Sequence, residues 1–272
     1  MTADNPCIFN NRSNRIIALL IFISGFLLGI SSFHPAIAKV SDVKIISVYD
    51  NYQVNQELKT DWGFSCVIQL PTETILFDTG GDSSILLSNM QKMDVQPKSI
   101  EKVFISHIHG DHIGGLKGFL TKNSNVTVFI PDSLPDSVER MVSRSGAQAV
   151  KIPGAKKISD YVYTSGPLYG PPTEQSLIID HVKGLVIITG CAHPGITRIV
   201  KKAMNLMKRD KVHLVMGGFH HPPVTVVQKF RSLRVTKVAP SHCTGDTVRK
   251  ALAEEYKRNF IENGVGRIIR LE

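Results

Sequence analysis

The chain has 272 residues, of which 42% are hydrophobic, and its formal net charge is +9. This length suits one large domain with a leader, and the composition excludes disordered, collagen-like and disulfide-dense proteins. The basic charge could attract a small anionic substrate, but no run of lysines and arginines is interleaved with aromatic residues, so we expect no nucleic-acid partner.

The N-terminal residues have the pattern of a targeting segment. Two arginines precede an apolar run over residues 16–33, and an Ala-Ile-Ala cleavage signal ends at residue 38. We predict a signal peptide over residues 1–38, or else an N-terminal membrane anchor, because the apolar run is long enough to span a bilayer. The domain of residues 39–272 would then be periplasmic or extracellular, or anchored to the outer face of the cytoplasmic membrane. We expect membrane contact only if the leader is not cleaved.

Strands and helices alternate along the first half of this domain. Strand-forming composition and flanking turn residues predict strands at 43–48, 63–70, 74–77, 102–106 and 125–130. The second and third of these form a hairpin that turns at residues 71–73. Helices are predicted at 83–93, where the apolar residues have helical spacing, and at 135–144.

The second half begins after a stretch rich in glycine and proline at 166–172 and continues the alternation. Strands are predicted at 176–180, 185–189, 213–216, 237–240 and 267–271, and the first two form a hairpin around residues 182–184. Helices are predicted at 196–208 and 246–259. Strands interleaved with helices indicate an α/β fold, although spacing alone does not give the strand order.

Histidines concentrate where the predicted strands end. The run Ser106-His107-Ile108-His109-Gly110-Asp111-His112 follows one strand, and the imidazoles of His107 and His109 leave the same face because they are two residues apart on an extended segment. Asp111 and His112 come just after a glycine that lets the chain turn. Four ligand-type side chains within six residues predict a metal site. Imidazole nitrogen with carboxylate oxygen suits zinc, or less selectively iron or manganese.

This run resembles the His-x-His-x-Asp-His signature of the metallo-β-lactamase superfamily. The sequence Asp78-Thr79-Gly80 resembles the Asp-Thr-Gly that precedes the signature in many members. The likeness continues through segments 189–193 and 240–245 and covers nearly all of residues 39–272. Segments 190–195 and 217–220 are most similar to the branch of 7,8-dihydropterin-6-yl-methyl-4-(β-D-ribofuranosyl)aminobenzene-5'-phosphate synthase. The resemblance implies a four-layer αββα sandwich with metals at one edge of two packed sheets.

The resemblance also implies roles for individual residues. His107, His109 and His193 would bind one divalent metal ion. Asp111, His112 and His242 would bind a second, and zinc is the first expectation for both. Asp78 would orient a ligand through a hydrogen bond, or it only caps a turn.

Cys191 departs from the common superfamily pattern, in which an aspartate at this position bridges both metals. Its thiolate could ligate a metal, its side chain could simply be buried, or it could form a disulfide with Cys243. Leader cleavage removes Cys7 and leaves three cysteines, so we expect one disulfide or none. His220 matches the branch motif and either contacts metal or substrate or forms a pocket wall.

Four further residues carry weaker expectations. His181, at a predicted turn, and His213, in a predicted strand, are expected to be structural. Glu174 and Gln175 stand where other members carry a ligand-bearing loop, so they could contact metal or substrate.

These residues predict a zinc-dependent, dinuclear hydrolase. A bound metal lowers the pKa of its water from 15.7 to about 7, so a metal-bound hydroxide could attack an ester, lactone, amide or phosphoester bond. Asp111 would be the catalytic residue as well as a ligand. A serine hydrolase and a phosphate-loop enzyme are excluded, because the Gly-x-Ser-x-Gly and Gly-Lys-Ser/Thr motifs do not occur.

Three alternatives remain open at this point. The branch includes a non-hydrolytic transferase, although an export signal opposes a role in intracellular pterin chemistry. A non-catalytic metal-binding sensor is the second, but none of the signature histidines is missing. An iron site for redox chemistry is the third.

Overall fold

The computed structural model describes residues 39–272. The signal peptide or anchor predicted over residues 1–38 lies outside the described residues. Within residues 39–272, none of the helices combines the length and the apolar character that a membrane span requires.

The first half of the domain and the last strand form a seven-stranded sheet. Its spatial order is β13-β1-β2-β3-β4-β5-β6. The seven strands are β1 (Val43–Asp50), β2 (Phe64–Leu70), β3 (Glu73–Phe77), β4 (Lys102–Phe104), β5 (Thr127–Pro131), β6 (Gln148–Ile152) and β13 (Ile268–Leu271). Strands β3, β4, β5 and β6 are mutually parallel, so their carboxyl ends meet at one edge.

The second half forms a six-stranded sheet in the order β12-β11-β10-β9-β8-β7. Its strands are β7 (Lys156–Lys157), β8 (Val162–Thr164), β9 (Leu177–His181), β10 (Gly184–Thr189), β11 (Val212–Gly218) and β12 (Val235–Ser241). Strands β10, β11 and β12 are parallel, and β9 and β10 form the predicted antiparallel hairpin.

Within residues 39–272, seven α-helices connect these strands. They are α1 (Ser83–Lys92), α2 (Gly110–Ile113), α3 (Leu116–Leu120), α4 (Asp136–Arg144), α5 (Ile196–Met207), α6 (Val226–Ser232) and α7 (Asp246–Tyr256). Three short 3-10 turns lie at Pro97–Ser99, His242–Thr244 and Lys257–Asn259.

Three hydrophobic cores separate four layers. One lies between the sheets and includes Phe77, Phe104 and Ile188. A second packs the first sheet against α1, α3 and α4, and a third packs the other sheet against α5, α6 and α7. Along β10 every residue is buried, because alternate side chains enter the central core and the outer core. This arrangement confirms the predicted αββα sandwich.

Several predicted elements differ from the structure in their ends. The strand predicted at 102–106 ends at Phe104, because the backbone N–H of Ser106 donates to the side chain of Asp78 instead of to a neighbouring strand. The helix predicted at 246–259 ends at Tyr256, where Lys257 has a left-handed backbone with φ 48°. Strands β6, β7 and β8 and helices α2, α3 and α6 were not predicted. Strand β6 is an edge strand with only Ile152 fully buried, so it has little hydrophobic pattern.

Candidate metal centre

Side chains from three loops meet at the edge where parallel strands end. His107, His109, Asp111 and His112 follow β4, and Cys191 and His193 follow β10. His242 follows β12. Loops beyond the carboxyl ends of parallel strands are where α/β sheets place their ligands. The structure therefore brings together all six residues predicted as metal ligands, and the possible ligand Cys191 lies with them.

The first ligand set comprises His107, His109 and His193. The three imidazoles each offer one nitrogen, and these atoms lie within 4.8 Å of one another. The ring centroids are 4.8 to 4.9 Å apart. The Nε2 atoms of His107 and His193 are buried without a hydrogen-bond partner among the described residues. Unpaired buried nitrogens are costly, and they suit a cation that accepts their lone pairs.

The second ligand set comprises Asp111, His112, Cys191 and His242. His112 Nε2 lies 3.2 Å from both His242 Nε2 and Cys191 Sγ. Asp111 Oδ2 lies 3.2 Å from His242 Nε2 and 3.6 Å from His112 Nε2. Four donor atoms thus surround one small volume, a number that matches tetrahedral zinc.

Hydrogen bonds assign the tautomers of the two histidines in this set. His112 Nδ1 lies 2.7 Å from Asp78 Oδ2, so it must donate its proton to that carboxylate. His242 Nδ1 lies 2.9 Å from Asn51 Oδ1, an atom fixed as oxygen because Asn51 Nδ2 donates to the carbonyl of His242. The Nε2 atoms of His112 and His242 therefore direct lone pairs at each other, and that of His242 also faces the Asp111 carboxylate. These electron-rich atoms repel one another. A cation between them would remove the repulsion, so the donor set fits a divalent metal.

Asp78 connects the two ligand sets. Its Oδ1 accepts from the Ser106 backbone N–H, and its Oδ2 accepts from the Ser106 hydroxyl, both at 2.7 Å. Since the Ser106 proton is used there, His107 Nδ1, 2.8 Å from the same hydroxyl oxygen, must be the donor to it. His107 Nε2 is then the free lone pair. One buried carboxylate thus determines the tautomer of His112 directly and of His107 through Ser106.

Glu174 holds the loop that carries Cys191 and His193. Its side chain is buried, and its two oxygens accept four backbone N–H bonds at 2.9 to 3.0 Å. The donors are the backbone N–H groups of Gly190, Cys191, Ala192 and His193. Glu174 belongs to none of the groups of potential ligands found in residues 39–272. Because it binds four successive backbone amides, Glu174 positions the loop. The spacing of residues in the sequence did not reveal this role.

Gln175 makes a similar connection on the other side. Its backbone N–H donates to the carbonyl of Ser106, and its side-chain amide donates to the carbonyl of Ile105. Glu174 and Gln175 therefore tie the loop after β10 to the loop after β4. Such contacts keep the two halves of the first ligand set at a fixed separation.

The remaining candidates fall at two places. His220 is at the site: its ring lies 4.2 Å from that of His193, and a third group of potential ligands joins it to His193 and Cys191. His181 and His213 lie elsewhere, on β9 and β11, and their rings stack at 5.3 Å.

Cys66, Cys191 and Cys243 are free thiols, so the disulfide considered for Cys191 and Cys243 is not formed here.

Burial and charge shift the pKa values of these groups. Burial lowers the pKa of His193 and of His242 to about 4, so both imidazoles are neutral at neutral pH. Burial raises the pKa of Asp111, but the contacts of its carboxylate with His242 and His112 outweigh burial and lower the value to about 2. The neighbouring Cys243 thiol and burial raise the pKa of Cys191. The second ligand set thus offers a carboxylate at neutral pH, and its thiol ionises only with a cation beside it.

The backbone around the centre is strained. Among residues 39–272, nine residues other than glycine have a positive φ, and five of them lie here: Asp78, Ala192, His220, His221 and His242. Such conformations cost about 1 to 3 kcal/mol each and persist where surrounding contacts impose them. At Gly218 a Cβ atom would lie 2.5 Å from the carbonyl oxygen of Gly190, so this position requires glycine for the loops to approach.

An aromatic side chain lies beside the second ligand set. Trp62, the only tryptophan of the chain, has its ring 4.8 Å from that of His242. Half of its surface is exposed. The centre therefore lies at an opening to solvent with an apolar surface at its margin.

A family model described as the metallo-beta-lactamase superfamily matches residues 63–200. The chain is a member of the metallo-beta-lactamase superfamily. The matched region includes the His-rich run, the loop carrying Cys191 and His193, and Glu174. Proteins with this fold generally bind divalent metals, in agreement with the grouped donors described above.

Curated relatives include both a synthase and nucleases. The 7,8-dihydropterin-6-methyl-4-(beta-D-ribofuranosyl)-aminobenzene-5'-phosphate synthase of Methanocaldococcus jannaschii is 27% identical over 289 residues, with 86% of this chain and 98% of the relative covered. The ribonuclease Z of Pediococcus pentosaceus is 40% identical over 72 residues, which cover 24% of this chain and 22% of the relative. Similarity to the synthase agrees with the branch predicted from the sequence.

Solved structures share the fold. Tm1679, described as a metal-dependent hydrolase of the beta-lactamase superfamily, superposes with a TM-score of 0.67 at 22% identity, with 84% of this chain and 98% of that chain covered. The short form of human tRNase Z gives a TM-score of 0.60 at 14% identity, with 84% and 99% covered. At these identities the comparison supports the sandwich architecture alone.

Proposed function

We propose that this protein is a metal-dependent hydrolase of ester, lactone, amide or phosphoester bonds, with two zinc ions. His107, His109 and His193 would hold the first ion. Asp111, His112, Cys191 and His242 would hold the second. The observation that carries the proposal is the convergence of unprotonated nitrogen, carboxylate and thiol donors on two adjacent volumes.

When bound, a metal pair supplies hydroxide near neutral pH and polarises a substrate oxygen. The residues of this chain provide the framework for that chemistry. Asp78 keeps Nε2 of His107 and of His112 unprotonated, so that these atoms would be free to bind the metals. Glu174 fixes the loop of His193. The side chain of Asp111 is 20% exposed while those of His112 and His242 are covered, so substrate and water reach Asp111 from the opening.

A transferase is the second candidate. The synthase relative is matched over 98% of its length, and Cys191 stands where the common superfamily pattern has a bridging aspartate. Nitrogen, oxygen and sulfur donors together suit zinc, but iron and manganese are alternative occupants.

We also propose that residues 39–272 act outside the cytoplasmic membrane on a small, anionic molecule, because of the leader sequence and the basic charge.

The test is a substrate screen with metal content measured on the same sample. Purified protein is assayed on chromogenic phosphodiesters, phosphomonoesters, lactones, thioesters and β-lactams, before and after chelation and with zinc, iron or manganese restored. We expect bound zinc and turnover that disappears on chelation. Asp111→Ala should reduce turnover to background without unfolding the protein, because it removes a carboxylate donor.

The matched control is Asp132→Ala, which changes an exposed aspartate outside the ligand sets. It should keep full turnover and metal content. If turnover survives Asp111→Ala, or if the protein neither contains nor responds to a transition metal, the proposal is wrong.

A further inference from the structure

A cavity of about 250 Å³ opens beside the first ligand set. His193 and His220 line the end nearest the candidate metals, and their rings are 4.2 Å apart. A substrate whose scissile bond reaches the metals would therefore place one of its two sides in this cavity.

The wall of the cavity is apolar. Ile196, Phe219 and Val226 line it, and all three are buried and belong to the core beneath α5 and α6. Because these side chains are already packed, the cavity is preformed. An apolar cavity of about 150 Å³ is large enough for benzene. The larger volume here suits a single ring with a substituent or a short chain.

A positive charge lies at the side of this apolar wall. Lys229, on α6, contributes to the lining, and it forms no ion pair with a described residue. Within residues 39–272 no aspartate or glutamate lines the cavity. A lysine can cover apolar surface with its alkyl chain while its ammonium meets an anion. The charge balance thus favours a negatively charged group and opposes a cationic one.

We infer that this cavity binds one side of the substrate, an apolar group of about one ring that carries a carboxylate or another anionic end. The inference rests on the proposed function and names its substrate class. It goes beyond the general attraction of the basic protein for anions, because it assigns recognition to particular residues. Lys229 would bind the anionic end, and Ile196, Phe219 and Val226 would contact the apolar group.

The experiment measures binding of two inert probes to the metal-loaded protein by calorimetry. The probes are 4-phenylbutanoate and 4-phenylbutanamide, which share shape but differ in charge. We expect the carboxylate to bind more tightly, and Lys229→Gln to reduce this preference by about two- to fivefold, the range measured for exposed ion pairs. The preference should also decrease with added salt.

A second variant tests the apolar wall. Thr197→Trp places an indole in the cavity from the first turn of α5, and Thr197 is partly exposed, so the larger side chain need not enter the core. Both probes should lose about tenfold or more in affinity, since burying one aromatic group contributes about 1.5 to 3 kcal/mol. Lys201→Gln changes an exposed lysine of α5 outside the cavity and is the control.

The outcomes separate this inference from the proposed function. If wild type binds the two probes with equal affinity, and neither Lys229→Gln nor Thr197→Trp changes that affinity, the inference is overturned even when metal-dependent hydrolysis is found. If the preference depends on Lys229 but the substrate screen finds no hydrolysis, the cavity assignment stands and the hydrolase proposal fails.

Discussion

At the scale of single residues, the centre depends on a carboxylate that touches no candidate metal position directly. Asp78 accepts hydrogen bonds from Ser106 and His112, and through Ser106 it also determines the tautomer of His107. Burial raises its pKa, and the contacts with His112 and Ser106 oppose this rise. The two explanations considered from sequence, orienting a ligand or capping a turn, predict different effects of replacing it.

Asp78→Asn should weaken metal binding at both ligand sets by about 10- to 100-fold, the usual effect of removing a partner that orients a ligand. An amide cannot accept from Ser106 and His112 on both of its ends, so one imidazole loses its defined tautomer. The measurement is competition for zinc with a chromophoric chelator, resolved into two binding steps.

The control for this prediction is Asp82→Asn. Asp82 accepts from the backbone N–H of Ser84 at the start of α1, and Asn caps a helix as well as Asp does. It should leave metal affinity unchanged. Unchanged zinc affinity in Asp78→Asn, with only a loss of folding stability, would instead identify Asp78 as a turn residue.

At the scale of elements, the centre is built by loops that follow parallel strands of both sheets. The His-rich run could be predicted because its four candidate ligands are adjacent in sequence. His193 and His242 were found through their motifs at the ends of predicted strands. Glu174 binds the backbone of His193, 19 residues away, and Asn51 binds the ring of His242, 191 residues away. Contacts between residues so far apart leave no periodic pattern in the sequence. The fold class followed from alternation of strands and helices, but the edge strand β6 and the short helix α6 have too little pattern to predict.

Glu174→Gln tests whether the loop after β10 needs its carboxylate. The amide group would face a backbone N–H where the carboxylate now accepts, so at least one buried donor loses its partner. We expect a loss of about 1 to 3 kcal/mol in the free energy of unfolding, together with weaker zinc binding. Urea denaturation and zinc competition measure the two effects.

Glu73→Gln is the matched control, because Glu73 is also buried but pairs with Lys102 away from the ligand sets. It should lower stability and leave zinc affinity unchanged. If the two variants behave alike in the zinc assay, Glu174 supports the fold without positioning the ligands.

At the scale of the whole molecule, His181 and His213 link folding to pH. Their rings stack within the second sheet, and Lys183, Lys211 and Lys237 lie near them. Burial, together with these positive charges, lowers the pKa of His213 to about 4 and also lowers that of His181. An unfolded chain titrates histidine near 6.5. Between these values the unfolded state binds more protons, so the contribution to stability is present above pH 6.5 and is lost as the pH falls toward 4.

His213→Gln should therefore flatten the dependence of stability on pH. In metal-free protein, the wild type should lose up to about 2 kcal/mol more than the variant between pH 7.5 and pH 5, as calculated from a shift from 6.5 to about 4. Thermal melts in chelator at several pH values measure this, and Lys201→Gln should follow the wild type. Parallel profiles for wild type and His213→Gln would show that His213 is protonated as readily in the folded protein as in the unfolded chain.

The lone tryptophan gives this protein a built-in optical reporter. Trp62 rests against His242, so the entire indole emission originates at the rim of the second ligand set. An ion arriving at that imidazole changes the electric field felt by the fluorophore, and a molecule covering the opening shields it from water. Events at the centre can thus be followed in unlabelled protein, without a background signal from any other indole.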